Sequence, residues 1–380
     1  MKNNSVRQKS SRIRALQRAL KAARMDACLI EEPTNLFYFT HLQLSHGKLL
    51  VHRDKAILFV DGRYIQVASQ NAPVDVELEK GAALLSFCKK YRTKVIGFDE
   101  TYTTVSEYSL LKKRLKGIEL SPCSTFFKRM RSIKDKTEIQ RMRASAKLLW
   151  CGFEHLLTLV KAGITEKELA KRFEIFCLEE GADRLGFEPI IAFGENSAMP
   201  HHRAGKRALK EGDLILIDIG VVLNRYHSDM TRMLFFGRED PALKSLYRIV
   251  RKAHAAALRA ARPGVTVGEL DRVARAVMTQ SKVDQLYLHA LGHGLGLEIH
   301  EFPRLKFSGV DHDVVLEAGM VFTIEPGLYI PQRGGVRYED TVVITPQGHE
   351  NFYPSFDAKV LPAKKKLSKK FIKDQAYTGL

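Results

Sequence analysis

The chain has 380 residues, 45% hydrophobic and 27% charged, which supports buried cores in about two domains and excludes a disordered polypeptide. No stretch approaches the roughly 20 uninterrupted apolar residues of a membrane-spanning helix, and the scattered Cys28, Cys88, Cys123, Cys151 and Cys177 read as reduced thiols of a cytoplasmic protein, lacking the spacing of a metal knuckle. The formal charge of +18 gathers toward the ends, where no acid precedes Asp26 and "KKKLSKKFIK" spans Lys364 to Lys373; without RNA-reading aromatic motifs or zinc-finger spacing, it indicates solvated basic ends rather than a nucleic-acid partner.

Ile13, Leu16, Leu20 and Ala23 recur at helical spacing and run directly into "ACLIEE", so the N-terminal stretch reads as a domain's first helix and not as a transit peptide. Strand-like "ACLIEE", "KLLVHR", "AILFVDGRY" and "KVIGFD" then alternate with helical patterns through "YSLLKKRLKG". This alternation predicts an α/β domain over 1–126. Pro122 and a charge run place the boundary near 121–135, before the long helix "TEIQRMRASAKLLWCGFEHLLTLV". A second domain is expected over 135–358, followed by a basic tail over 359–380.

The second domain repeats itself. "GITEKEL" from Gly163 and "GVTVGEL" from Gly264 are both capping boxes, Thr165 with Glu168 and Thr266 with Glu269, and each opens a helix. Each helix precedes two strand runs joined by a turn, as in a duplicated half-domain. In the first half, "LILIDIG" and "YHSDMTRMLFF" carry Asp218 and Asp229 symmetrically about a turn centred between Leu223 and Asn224; in the second, "MVFTIEPGLYI" and "GVRYEDTVVIT" carry Glu325 and Glu339 symmetrically about Gln332. Carboxylates facing one another on apolar strands require cations between them.

The strip "LHALGHGLGLEIHE" adds His289, His293 and His300. Its glycines disfavour a helix and predict a strand whose backbone lies close to metal or substrate, while the spacing is not that of a dinucleotide-binding loop. Imidazole added to carboxylates shifts preference from Mg²⁺ or Ca²⁺ toward Mn²⁺, Fe²⁺, Co²⁺ or Zn²⁺.

Taken together, "AMPHHRAG", "LIDIG" with "SDMTR", "GHGLGLEIHE", "TIEPG" and "GVRYED" resemble, in order, the motifs of the pita-bread metallopeptidases of the creatinase/aminopeptidase P/prolidase group, and "NLFYFTH" and "DGRY" resemble that group's creatinase-like N-terminal domain. The resemblance implies an α+β fold with a pita-bread catalytic domain and two divalent ions, Mn²⁺ first and Co²⁺ or Zn²⁺ as alternatives. Asp218 would hold one ion, Asp229 and Glu339 would bridge both, and His293 with Glu325 would hold the other. Glu325 would also move the proton, with His201 and His300 steadying the reacting centre. His289 matches a position near substrate, where a satisfied histidine beside the site is the alternative, and Arg337 would orient Glu339; His202 reads as a neighbour without a role. The N-terminal domain favours a peptide substrate with proline second, and the group is commonly dimeric. Arg304 and Lys306 either pair with a dipeptide's carboxylate or face solvent; the second reading leans toward an Xaa-Pro aminopeptidase over a dipeptidase.

Overall fold

The computed structural model describes residues 2–363, with side chains from residue 11 onward. The run Lys364 to Lys373 and the side chains of the first ten residues lie outside this description. The chain divides into two compact units, Met1–Met130 and Arg131–Leu380.

The first unit is a six-stranded mixed sheet with helices. Strands β1 (Ala27–Ile30), β2 (Lys48–His52), β3 (Ala56–Val60), β4 (Asp75–Leu78), β5 (Val95–Phe98) and β6 (Glu119–Pro122) run in the order β4-β3-β2-β1-β5-β6. The runs expected as strands are the four inner ones. The two outer strands, "DVEL" and "ELSP", are largely exposed and carry no apolar run to announce them. The first helix, Lys2–Ala22, buries Ile13, Leu16 and Leu20 as expected. Ala23 is exposed, because the helix has ended and Arg24 takes a positive φ of 59°. The segment expected as a boundary holds β6 and the helix Ser124–Ser132.

The second unit shows the duplication. Helices Lys136–Leu159 and Glu166–Glu179 precede the first hairpin; Pro241–Ala260 and Val267–Gln280 precede the second. Both predicted capping boxes form, with Thr165 accepting from Glu168 N and Thr266 from Glu269 N. Each cap threonine also makes an isolated bridge to a later strand-like residue, Thr165 to Ala208 and Thr266 to Val315. The first half contributes β7 (Arg184–Leu185), β8 (Ile190–Phe193), β9 (Leu214–Leu223) and β10 (Tyr226–Phe236). The second contributes β11 (Gly292–Gly294), β12 (Glu301–Leu305), β13 (Val321–Ile324), β14 (Gly327–Ile330), β15 (Gly334–Arg337), β16 (Asp340–Thr345) and β17 (Gly348–Asn351), with β18 (Val360–Leu361) returning to β10. One sheet has the order β18-β10-β9-β7, with β8 also on β9; a second has β12-β11-β13-β16-β17, and β14 and β15 pair with each other. An apolar cluster including Leu246, Val250, Leu270, Phe322 and Val342 packs helices against strands. Burial of that face keeps the strands rigid enough to hold charged groups in place.

Candidate metal centre

Asp218 and Asp229 come from the β9–β10 hairpin, with the register two residues away from the expected one. Asp218 pairs with Thr231, and Asp229 with Gly220. The turn explains the shift: Asn224 and Arg225 both take positive φ, 51° and 75°, the two-residue loop whose twist matches the strands, so its centre falls one residue later. Side-chain parity survives. Both carboxylates keep one face and become diagonal neighbours, which eases repulsion relative to direct opposition.

Glu325 and Glu339 keep the expected register. Gly327 pairs with Arg337 and Ile324 with Asp340, both symmetric about Gln332. Between these ladders the pairing lapses at the two glutamates, where Pro326 offers no N–H. The freed backbone turns elsewhere: Glu325 N donates to Leu291 O at 2.8 Å and Glu339 N to Thr231 O at 3.3 Å. Each glutamate is thereby tied to a strand that carries another candidate ligand.

His293 lies in β11, a strand as the glycines predicted, although their purpose differs from the expected one. A Cβ on Gly292 would stand 2.0 Å from Thr323 O, and one on Gly294 would stand 2.5 Å from Phe302 O. These glycines let neighbouring backbones approach rather than clearing room for metal or substrate.

All the candidates line one cavity of about 710 Å³: Asp218, Asp229, His293, Glu325 and Glu339, with His201, His289, His300 and Arg337. Asp229, His293 and Glu339 present ligand atoms within 4.8 Å of one another. His293 Nε2 stands 3.5 Å from Glu325 Oε1 and 3.6 Å from Asp229 Oδ2. Its Nδ1 lies 3.1 Å from Gly294 O, so donation there leaves the Nε2 lone pair facing the acids. Burial holds the ring's pKa down to about 3, which keeps it neutral.

The acids are under opposite pressure. Burial first, then the charge of neighbouring acids, pushes Asp229 and Glu339 far above the ordinary carboxylate range, and burial raises Glu325 to about 8. Asp218 is raised less severely, because Arg337 opposes its burial. Buried Asp218 Oδ1 and Asp229 Oδ1 accept no hydrogen bond. Three buried carboxylates, two with orphaned oxygens, and the part-buried Glu325 beside a neutral imidazole fit a pair of divalent ions and are costly without cations.

Arg337 meets Glu339 only indirectly: it pairs with Asp218, donates to Tyr329 Oη at 2.8 Å and to Thr231 Oγ1 at 3.1 Å. Thr231 Oγ1 in turn donates to Glu339 Oε2 at 2.7 Å, so the arginine reaches Glu339 through the threonine. His289 is satisfied on both nitrogens, by Ala290 O at 2.8 Å and Tyr329 Oη at 3.0 Å, which favours a wall residue over a substrate contact. His300 stacks edge-on to His293 at 4.3 Å, and burial and cationic neighbours lower its pKa. His201 is exposed on the cavity wall, whereas His202 Nε2 pairs with buried Glu166 at 2.9 Å, away from the cavity.

The sequence reading overlooked Thr231, Tyr329 and Thr323, whose Oγ1 accepts from His293 N at 3.1 Å and lies 3.4 Å from Glu325 Oε1. The signal for the two threonines was present, since each lies two residues from an acid and so shares its face of the strand. Tyr329 is recruited by tertiary packing.

Residues 140–346 match Metallopeptidase family M24, and residues 12–133 match the Creatinase/Prolidase N-terminal domain. The chain belongs to metallopeptidase family M24. It is 34% identical over 329 or more residues to relatives that include the Xaa-Pro dipeptidase of Pyrococcus furiosus, where the match covers 89% of this chain and 96% of the relative. The Xaa-Pro dipeptidase of Bacillus anthracis superposes with a TM-score of 0.88 at 31% identity, covering 94% of this chain and all (100%) of that one. An X-Pro aminopeptidase from Thermotoga maritima superposes with a TM-score of 0.82 at 30% identity, covering 89% and 98%. As an M24 member the chain is a metal-dependent hydrolase with the expected pita-bread fold behind a creatinase-like N-terminal domain. Among the described residues, no helix is long and apolar enough to cross a membrane.

Proposed function

We propose that this M24 protein is an Xaa-Pro dipeptidase that works with two divalent ions, Mn²⁺ first and Co²⁺ or Zn²⁺ as alternatives, as a cytoplasmic homodimer. The leaning toward an aminopeptidase gives way here. Dipeptidases predominate among the named relatives above, and one residue supports the same choice: Arg304 lines the cavity, is exposed, and makes no ion pair among the described residues. Lys306 does not line it. A dipeptide's C-terminal carboxylate needs such a partner near the reacting bond.

In this reading Asp218, Asp229, His293, Glu325 and Glu339 would hold the ions, Asp229 and Glu339 as ligands common to both. Bound there, the ions supply positive charge to the scissile carbonyl and make water more acidic. Glu325 takes the proton released by attack. His300, kept neutral by burial, and His201 hydrogen-bond the tetrahedral centre and the leaving nitrogen. Phe187 and Ile190 give the proline ring an apolar wall, and Arg304 pairs with the carboxylate beyond it. The N-terminal domain (1–126) and the catalytic domain (135–358) are the division that accompanies this reading.

The test is a comparison of Mn²⁺-loaded protein on an Xaa-Pro dipeptide and on the same sequence extended by one residue. The dipeptide should be favoured by about tenfold or more in kcat/KM, the equivalent of one ion pair near 1.4 kcal/mol. Preference for the longer peptide would restore the aminopeptidase reading.

A further inference from the structure

The candidate ligands stand on two different sheets. Asp218 and Asp229 belong to the β9–β10 sheet and His293 to the β11–β13–β16 sheet, with Glu325 and Glu339 in the breaks that leave β13 and enter β16. Their spacing therefore depends on what joins β10 to β16. No strand ladder does so, and the backbone bond from Glu339 N to Thr231 O is long, at 3.3 Å.

Arg232 occupies that junction. Its side chain is fully buried and does not line the cavity. Nη1 donates to Thr231 O at 3.0 Å and to Glu339 O at 2.5 Å, while Nη2 pairs with Asp340 Oδ1 at 2.6 Å. The same two residues are joined on the cavity side by the Thr231 hydroxyl on Glu339 Oε2. Glu339 is thus held by its carbonyl from behind and by its carboxylate from in front. Asn351 Nδ2 fixes the other oxygen of Asp340 at 2.7 Å, and the rings of Tyr338, Trp150 and Tyr353 surround the guanidinium at 4.5, 5.6 and 5.6 Å. A second tie between the same strands runs from Thr341 Oγ1 to Asp229 O at 3.0 Å.

We propose that Arg232 is a positioning residue for the metal centre, a clamp between the sheets that sets the spacing of Asp229 and Glu339 and thereby the affinity and coordination of the ions. The proposal rests on the two-ion reading above. A planar guanidinium reaches two carbonyls and a carboxylate in one fork; an ammonium neutralises Asp340 without spanning all three. A purely structural role would alter stability and leave coordination as it was.

The test uses the full chain, stripped with chelator and titrated with Mn²⁺ by calorimetry and with Co²⁺ by visible absorption, in wild type, Arg232→Lys and Asp340→Asn. Folded Arg232→Lys should bind the ions about 10–100-fold more weakly than wild type and change the Co²⁺ spectrum, as loss of a group orienting a ligand does. Arg232→Lys that folds and keeps wild-type affinities and spectrum overturns the clamp. Should it fail to fold, Asp340→Asn decides, because it keeps the shape and removes the charge that holds Nη2 in the fork: weakening of about tenfold supports the clamp, and unchanged affinity overturns it. A wild type that binds no divalent ion overturns the two-ion reading and the clamp together, so the wild-type titration separates the two failures.

Discussion

Glu325 carries two demands at once, those of a ligand and of a base. Glu325→Gln keeps the shape and removes the proton acceptor, so kcat should fall by about 10²–10⁴, measured on an Xaa-Pro dipeptide; a loss under tenfold would move the base elsewhere. Arg304→Gln should raise KM for the dipeptide by roughly tenfold and leave a longer peptide nearly unaffected, since only the dipeptide puts its carboxylate there. The raised carboxyls also give a pH signature in metal-free protein. Asp218, Asp229, Glu325 and Glu339 hold protons in the fold at pH values where the unfolded chain has released them. Their stabilising protonation is complete below the ordinary carboxylate range and is lost as pH rises through the folded values, about 8 for Glu325. Below the ordinary histidine range the depressed pKa values of His227, His289 and His293 work the other way, so in excess chelator the thermal midpoint should fall only above it, from about pH 7 through about pH 8, and saturating Mn²⁺ should remove the fall. A midpoint that rises with pH over that window in chelator would contradict this.

At the scale of strands, the centre depends on close backbone approach and on hairpin register. Gly292→Ala would place a Cβ 2.0 Å from a carbonyl oxygen that cannot swing aside, next to His293. It should cost roughly 1–3 kcal/mol by urea unfolding and weaken metal binding; a variant as stable as wild type would show that β11 has room to move. Much here was readable beforehand. The apolar runs around Asp218 and Asp229 announce strands, and the symmetry of Glu325 and Glu339 about Gln332 holds in the structure. The first hairpin slipped by two residues because strand patterning repeats every two positions and cannot by itself distinguish registers of equal parity. That choice was made by the backbone of Asn224 and Arg225, whose positive φ values no apolar pattern reports. The outer strands β4 and β6 were hidden for a related reason: without a buried face they lack the pattern that reveals a strand.

For the whole molecule, duplication explains how one cavity acquires ligands from distant parts of the chain. Each half supplies a capped helix and an acidic hairpin, and the cavity lies where the two sheets bring those hairpins together. The matched capping boxes made the repeat visible in the sequence; the ties between halves, Arg232 to Glu339 and Arg337 to Asp218, were not visible, because they join residues 107 and 119 positions apart. Against a net charge of +18 the lining of this centre is acid-rich, with Arg304 and Arg337 among it. The most direct test of the account is metal content by elemental mass spectrometry after loading with Mn²⁺ and removal of excess ion. Wild type should retain two ions per chain, and Glu339→Ala, lacking a shared ligand, at most one. Folded wild-type protein that retains no divalent ion, or a Glu339→Ala variant that retains the full pair, would contradict it.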